Sequence, residues 1–144
     1  MILKLGVLAT IALTASAAGV LDGKVCYITG GTSGLGKAAA IGAAKEGCKV
    51  VITGRRAEKG EAVAKEIKDA GGECTFIKCD VTDVKALEAS INETVEKYGS
   101  IDNTFNNAGG ASATDFALPH LMTIEDFDFV TKLNLNSVFY SAKF

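Results

Sequence analysis

At 144 residues, with 15 Lys and Arg against 17 Asp and Glu and 48% apolar residues, the chain can bury one core. It is short for a complete enzyme that must seat two substrates. A net charge of −2 and a pI near 5.4 exclude the basic footprint that non-specific nucleic-acid binding needs, so no nucleic-acid partner is expected.

In chain order, residues 1–20 read as a leader-like apolar extension. Lys4 precedes an uncharged run from Leu5 to Leu21, and Ala15-Ser16-Ala17 resembles a small-residue cleavage site. Its alanines and threonines make it a poor membrane span, and it falls short of the roughly 20 apolar residues a bilayer needs. As a leader it sends the chain to a secretory or organellar compartment; as a plain extension it leaves the chain cytoplasmic. Residues 21–144 read as one domain.

The first unit of that domain is an apolar strand over 25–29, then Thr29-Gly30-Gly31-Thr32-Ser33-Gly34-Leu35-Gly36, then a helix over about 35–46 stopped at Gly47. Glycines in such a turn let backbone approach a ligand. The helix that follows offers free N–H groups and positive dipole potential for phosphate. With strand before and helix after, the run predicts dinucleotide binding. A second strand is predicted over 50–53. A helix over about 58–70 follows, carrying Val63, Ile67 and Ala70 on one face and ending at Gly71-Gly72.

The third strand is predicted over 75–79. The third helix has the clearest apolar stripe, with Val84, Leu87, Ile91, Val95 and Tyr98 at steps of three and four and Gly99 closing it. A fourth strand over about 101–106 is interrupted by Asn103 and Thr104, less apolar than a strand buried on both faces. His120 beside Pro119 reads as loop. Thr123-Ile124-Glu125-Asp126 reads as a helix start, and the last helix carries Phe127, Val130, Leu133 and Val138. Strand–helix alternation of this kind gives right-handed crossovers, a parallel sheet in the order 3-2-1-4 and helices on both faces.

The four cysteines, Cys26, Cys48, Cys74 and Cys79, form no CxxC pair and fall in or beside predicted strands. They read as buried apolar thiols, and the lone His120 is too far along the chain to suggest a metal site. Asn92-Glu93-Thr94 fits a glycosylation acceptor, relevant only to an exported chain.

Four motifs stand in one order along 21–144. Thr29 to Gly36 reads TGxxxGxG, Asp80-Val81 follows the third strand, Asn106-Asn107-Ala108-Gly109 ends the fourth, and Asn134-Leu135-Asn136-Ser137 lies in the last helix. Together they resemble the short-chain dehydrogenase/reductase family. The resemblance implies an α/β, Rossmann-type doubly wound parallel sheet, truncated here after about four strands. It also implies an oxidoreductase acting on an alcohol or carbonyl small molecule with a nicotinamide dinucleotide, and a homo-oligomer when complete. On that resemblance Gly30, Thr32, Ser33, Gly34, Leu35 and Gly36 cradle phosphate and ribose. Asp80 and Val81 meet the adenine, Asn107, Ala108 and Gly109 approach the nicotinamide ribose, and Asn134 is the helix-borne catalytic asparagine.

The end of the second strand bears on cofactor choice. Sites that hold NAD place an acid there for the ribose 2′-hydroxyl. Here Gly54-Arg55-Arg56 offers no acid before Glu58, and arginine pairs bidentately with a 2′-phosphate, so NADP is expected over NAD.

The family's other catalytic groups, a serine and a tyrosine with a lysine four residues later, have no match. None of Tyr27, Tyr98 and Tyr140 has lysine at that spacing, and Tyr140 and Lys143 are three apart. The 144 residues therefore read as the amino-terminal half of such an enzyme, inactive alone. The alternative is a non-catalytic NADP-binding module.

Overall fold

In a computed structural model the described residues are 19–112 and 118–144; the leader-like reading of 1–20 falls almost wholly outside them. Four strands, β1 (Val25–Thr29), β2 (Lys49–Gly54), β3 (Glu73–Lys78) and β4 (Asn103–Asn106), form one sheet in the order β3-β2-β1-β4. Every pairing is parallel, with Val25 opposite Lys49, Cys26 opposite Asn103 and Val50 opposite Cys74. The expected sheet order and sense are both met.

Burial follows position in the sheet. All five residues of central β1 are buried, and so are Val50, Val51, Ile52 and Thr53 of β2. β4 is the outer strand on the other side of β1, and its Asn103, Thr104 and Phe105 are exposed. It is also shorter than expected, because residues 101 and 102 stay outside the ladder. There the Asp102 carboxylate accepts from the Val25 N–H at 2.8 Å and pairs with Lys24 at 3.2 Å, fixing the start of β1.

Alternation along the strands makes two cores. Cys26, Ile28, Val50, Ile52 and Cys74 face α1 (Gly34–Lys45) and α2 (Ala57–Asp69), whose Ala40, Val63, Ala64 and Ile67 complete that cluster. Tyr27, Val51 and Ile77 face α3 (Val84–Tyr98), against Leu87 and Ile91. Alanines on α1 let that helix lie close to the sheet without a strong apolar stripe.

The last helix is not continuous. A 3₁₀ turn at Pro119–Leu121 precedes α4 (Ile124–Thr131), a single π-helical stretch spans Lys132–Asn136, and α5 (Ser137–Lys143) follows. Thr123 caps α4, its hydroxyl accepting from the Asp126 N–H at 3.0 Å. Leu133 and Tyr140 pack onto the α3 side of the sheet, while Phe127, Leu135 and Phe139 are exposed.

The cysteines require a correction. Cys74 and Cys79 are buried thiols as expected, but Cys26 and Cys48 form a disulfide. Cys48 lies two residues before Val50, the partner of Cys26, so parallel register turns both side chains to one face with Cα atoms 6.2 Å apart.

Tyr27 gives the fold a pH dependence. It is fully buried, its hydroxyl 2.6 Å from Ser90 Oγ, and burial pushes its pKa up to about 12 against the opposing hydrogen bond. An unfolded phenol ionises near 10, so the fold holds the neutral form. The stabilisation is complete below pH 10 and is lost as pH rises towards 12, at most about 3 kcal/mol over that window. Burial also raises Cys74, to about 11, as well as Cys79 and Tyr98, so part of the alkaline loss belongs to them. Denaturant midpoints from pH 8 to 11 should fall less steeply for Tyr27→Phe than for wild type. Parallel slopes would show that this phenol does not drive the loss.

Candidate functional site

β1 pairs with β2 on one side and β4 on the other, so successive crossovers leave it in opposite directions. Parallel sheets open a crevice at such a switch point, beyond the carboxyl ends of the strands. A cavity of about 380 Å³ lies there.

Its floor is the turn after β1. Gly30 has φ of +67°, a left-handed conformation that glycine adopts without strain. A Cβ on it would come within 3.0 Å of Ala108 Cα. Thr32 and Ser33 line the cavity beside Gly30. Ser33 is the N-cap of α1, yet its hydroxyl makes no capping bond and the first turn holds no acid. α3 differs, because Asp83 there accepts from the Lys85 and Ala86 N–H groups. The positive end of α1 is thus left uncompensated at the cavity, as an anion site requires.

Gly34, Leu35 and Gly36 do not line the cavity. Leu35 is 78% exposed. Gly36 is buried against the turn, where a Cβ would strike the Gly30 carbonyl oxygen and sit 2.5 Å from Asn107 Nδ2. Its part in the structure is close packing of helix on turn.

The second wall comes from β2. Gly54, Arg55 and Arg56 line it, and the Arg56 Nη2 donates to Ser33 Oγ at 3.2 Å, tying the guanidinium to the cradle. A Cβ at Gly54 would lie 2.6 Å from the Thr32 methyl carbon, so this glycine also keeps β2 close to the turn.

The third wall is Asp80 and Val81 after β3. Asp80 Oδ1 accepts from both the N–H and the hydroxyl of Thr82, at 3.0 and 2.8 Å. Burial raises its pKa, but these bonds and the Arg55 and Lys132 charges outweigh it, so the carboxyl lies below its ordinary value. It is ionised at neutral pH.

The fourth wall is the turn after β4. Thr29 Oγ1 accepts from the N–H groups of Asn107 and Ala108, at 3.1 and 3.0 Å. Asn107 Nδ2 donates to the carbonyls of Thr29 and Gly30, at 3.1 and 3.3 Å. Asn107, Ala108 and Gly109 are therefore braced against β1 as they line the cavity. Asn134 sits in the π-helical stretch, outside the lining. Its Oδ1 accepts from the Gly110 N–H at 3.0 Å, and its Nδ2 donates to the Gly110 and Val130 carbonyls at 2.8 and 3.0 Å. The amide clamps the loop beyond Gly109 to the helix.

Two lining residues were not singled out from sequence, Cys79 and Leu133. Cys79 had a signal in its adjacency to Asp80. Leu133 had none, because an apolar residue on a helix face gives no sign that it borders a cavity.

Two hydroxyls, an open helix N-terminus and two guanidinium groups as donors, with an ionised carboxylate as acceptor through the oxygen free of Thr82, suit a phosphate-bearing dinucleotide. Among the described residues no cluster of three His, Cys, Asp or Glu side chains is placed to hold a metal ion.

Comparison with known proteins follows the same line. Residues 24–144 match the family described as short chain dehydrogenase. A 3beta-hydroxysteroid dehydrogenase of Mediterraneibacter gnavus is 45% identical over 129 residues, 87% of this chain and 45% of that protein. An isopiperitenol/carveol dehydrogenase of Mentha piperita is 39% identical over 79% of this chain and 42% of its own length. A solved Serratia marcescens short-chain dehydrogenase/reductase variant superposes with a TM-score of 0.81 at 33% identity, covering 85% of this chain and 49% of that one. The chain spans about half the length of the curated relatives it matches.

Proposed function

The chain belongs to the short-chain dehydrogenase family, and we propose that its described residues build the NADP(H)-binding part of an oxidoreductase acting on an alcohol or its carbonyl partner. The carrying observation is the cavity at the β1 switch point, where the uncapped start of α1 meets a rim of Arg55 and Arg56. Within it Gly30 and the Asn107–Gly109 turn give backbone approach, and Thr32 and Ser33 offer hydroxyls to phosphate or ribose. Asp80 accepts from the adenine amino group through the oxygen that Thr82 leaves free. Arg55 and Arg56 hold a 2′-phosphate, with no acid at the end of β2 to repel it. When bound, the dinucleotide supplies or takes up hydride.

The names of the relatives, a hydroxysteroid and a terpenol dehydrogenase, support a ring-bearing secondary alcohol as the substrate class. Asn134 orients the loop at Gly110 and has no pKa fit for moving a proton. The 144 residues are therefore expected to bind dinucleotide without turning over an alcohol. The exposed Phe127, Leu135 and Phe139, in and around the π-helical stretch, fit a homo-oligomer contact.

Fluorescence titration of the chain with NADPH and NADH tests the reading. NADPH should bind tighter, and Arg55→Ala with Arg56→Ala should weaken it about 10- to 100-fold, as loss of charge-assisted bonds to phosphate does, with NADH changed little. Equal or tighter NADH binding would overturn the NADP reading. Binding of neither would overturn the site, and carveol- or hydroxysteroid-dependent reduction of NADP would return proton transfer to Tyr140 and Lys143.

A further inference from the structure

The Cys26–Cys48 pair lies outside the site just described. The two residues stand near the amino ends of β1 and β2, while Gly30 and Gly54 are at the carboxyl ends. The bridge spans a sequence separation of 22 residues, and that loop contains β1 from Cys26 onward, the glycine-rich turn and all of α1. It closes the whole βα unit that carries the cradle without touching the cavity.

We propose that Cys26 and Cys48 are a redox modification site, and that oxidation staples this first βα unit. Calling the unit a dinucleotide cradle rests on the proposed function; the pairing itself does not. Geometry selects this pair over the others. Cys26 and Cys48 share one core cluster at bridging distance. Cys79 faces the opposite core. Cys74 shares the first cluster but sits on β3, with all of β2 between it and Cys26.

A small-molecule disulfide such as oxidised glutathione balances the step. The thiolate of one cysteine attacks it, forming a mixed disulfide and releasing one glutathione thiol. The second cysteine then displaces the other glutathione and closes the Cys26–Cys48 bond. Two electrons pass to the reagent, and the two protons leave on the two glutathione thiols. Cys26 and Cys48 are 5% and 1% exposed, so exchange requires opening of the β1–β2 pair, and the closed bridge is shielded once the chain is folded.

The test is to refold the full chain in oxidised and in reduced glutathione, alkylate the free thiols in denaturant, and digest with trypsin without reduction. The four cysteines fall in separate peptides, 25–37, 46–49, 69–78 and 79–85. The oxidised sample should give 25–37 joined to 46–49, with Cys74 and Cys79 alkylated. Its melting temperature should exceed that of the reduced sample by roughly 10 °C, the loop-closure effect expected for a bridge of this span. Cys74→Ala with Cys79→Ala should keep both results. A bridge using Cys74 or Cys79, four alkylated cysteines in the oxidised sample, or equal melting temperatures would each overturn the proposal. None of these readouts uses a dinucleotide, so failure of NADPH binding leaves this test standing.

Discussion

Replacing Gly36 by alanine is expected to weaken NADPH binding about 100-fold and to lower the melting temperature by roughly 10 °C, from overpacking of about 3 kcal/mol. The added methyl has nowhere to go. It would strike the Gly30 carbonyl oxygen and lie 2.5 Å from Asn107 Nδ2. Relieving the first contact lifts α1 off the turn and moves its N–H groups from the cavity. Relieving the second breaks the bonds from Asn107 to the Thr29 and Gly30 carbonyls and loosens the β4 wall. Gly42→Ala, in the same helix with nothing within 4 Å of the added carbon, is the control. It should gain up to about 1 kcal/mol from helix propensity alone and leave binding unchanged. Thermal melts and NADPH titrations of the pair settle the matter, because equal behaviour would mean that the turn has slack.

That glycine also shows how far the sequence could be read. The TGxxxGxG run and the alternation of strands and helices were enough to place β1, the turn and the sheet order, because each rests on a local period or a crossover rule. The packing of Gly36 was not legible, because its closeness to Gly30 and Asn107 exists only once helix and turn are in place. The Cys26–Cys48 bridge was hidden for a related reason: its register exists only once β1 and β2 pair. The π-helical stretch at Lys132–Asn136 left no mark either, since one wide turn barely disturbs the apolar stripe of Phe127, Val130, Leu133 and Val138. Asp80 was legible as a residue but not as a geometry. One of its oxygens is spent on Thr82, so only the other remains for an adenine. Polar Asn103 and Thr104, read as interruptions of a strand, are exposed on β4, an outer strand of the sheet.

Thr29→Val is expected to cost about 1–3 kcal/mol of stability and to weaken NADPH binding about 10-fold. Valine keeps the shape and the strand preference of threonine, so β1 itself is little disturbed. What goes is one oxygen, buried with its residue 3% exposed, that accepts from the Asn107 and Ala108 N–H groups together. In the variant the Asn107 N–H keeps the Phe105 carbonyl at 2.9 Å, but the Ala108 N–H points at a methyl, and an unsatisfied group of this kind costs about 1–3 kcal/mol. The Asn107 side chain still reaches the Thr29 carbonyl, so the wall should loosen rather than detach. Thr29→Ser separates the hydroxyl from the methyl. It keeps the acceptor and loses only one buried carbon, about 1 kcal/mol, and it should bind NADPH almost as the wild type does. Denaturant midpoints and dinucleotide titrations of the two variants decide the point. If valine costs no more than serine, the β4 wall is held by Asn107 alone and the Thr29 hydroxyl has no part in forming the cavity.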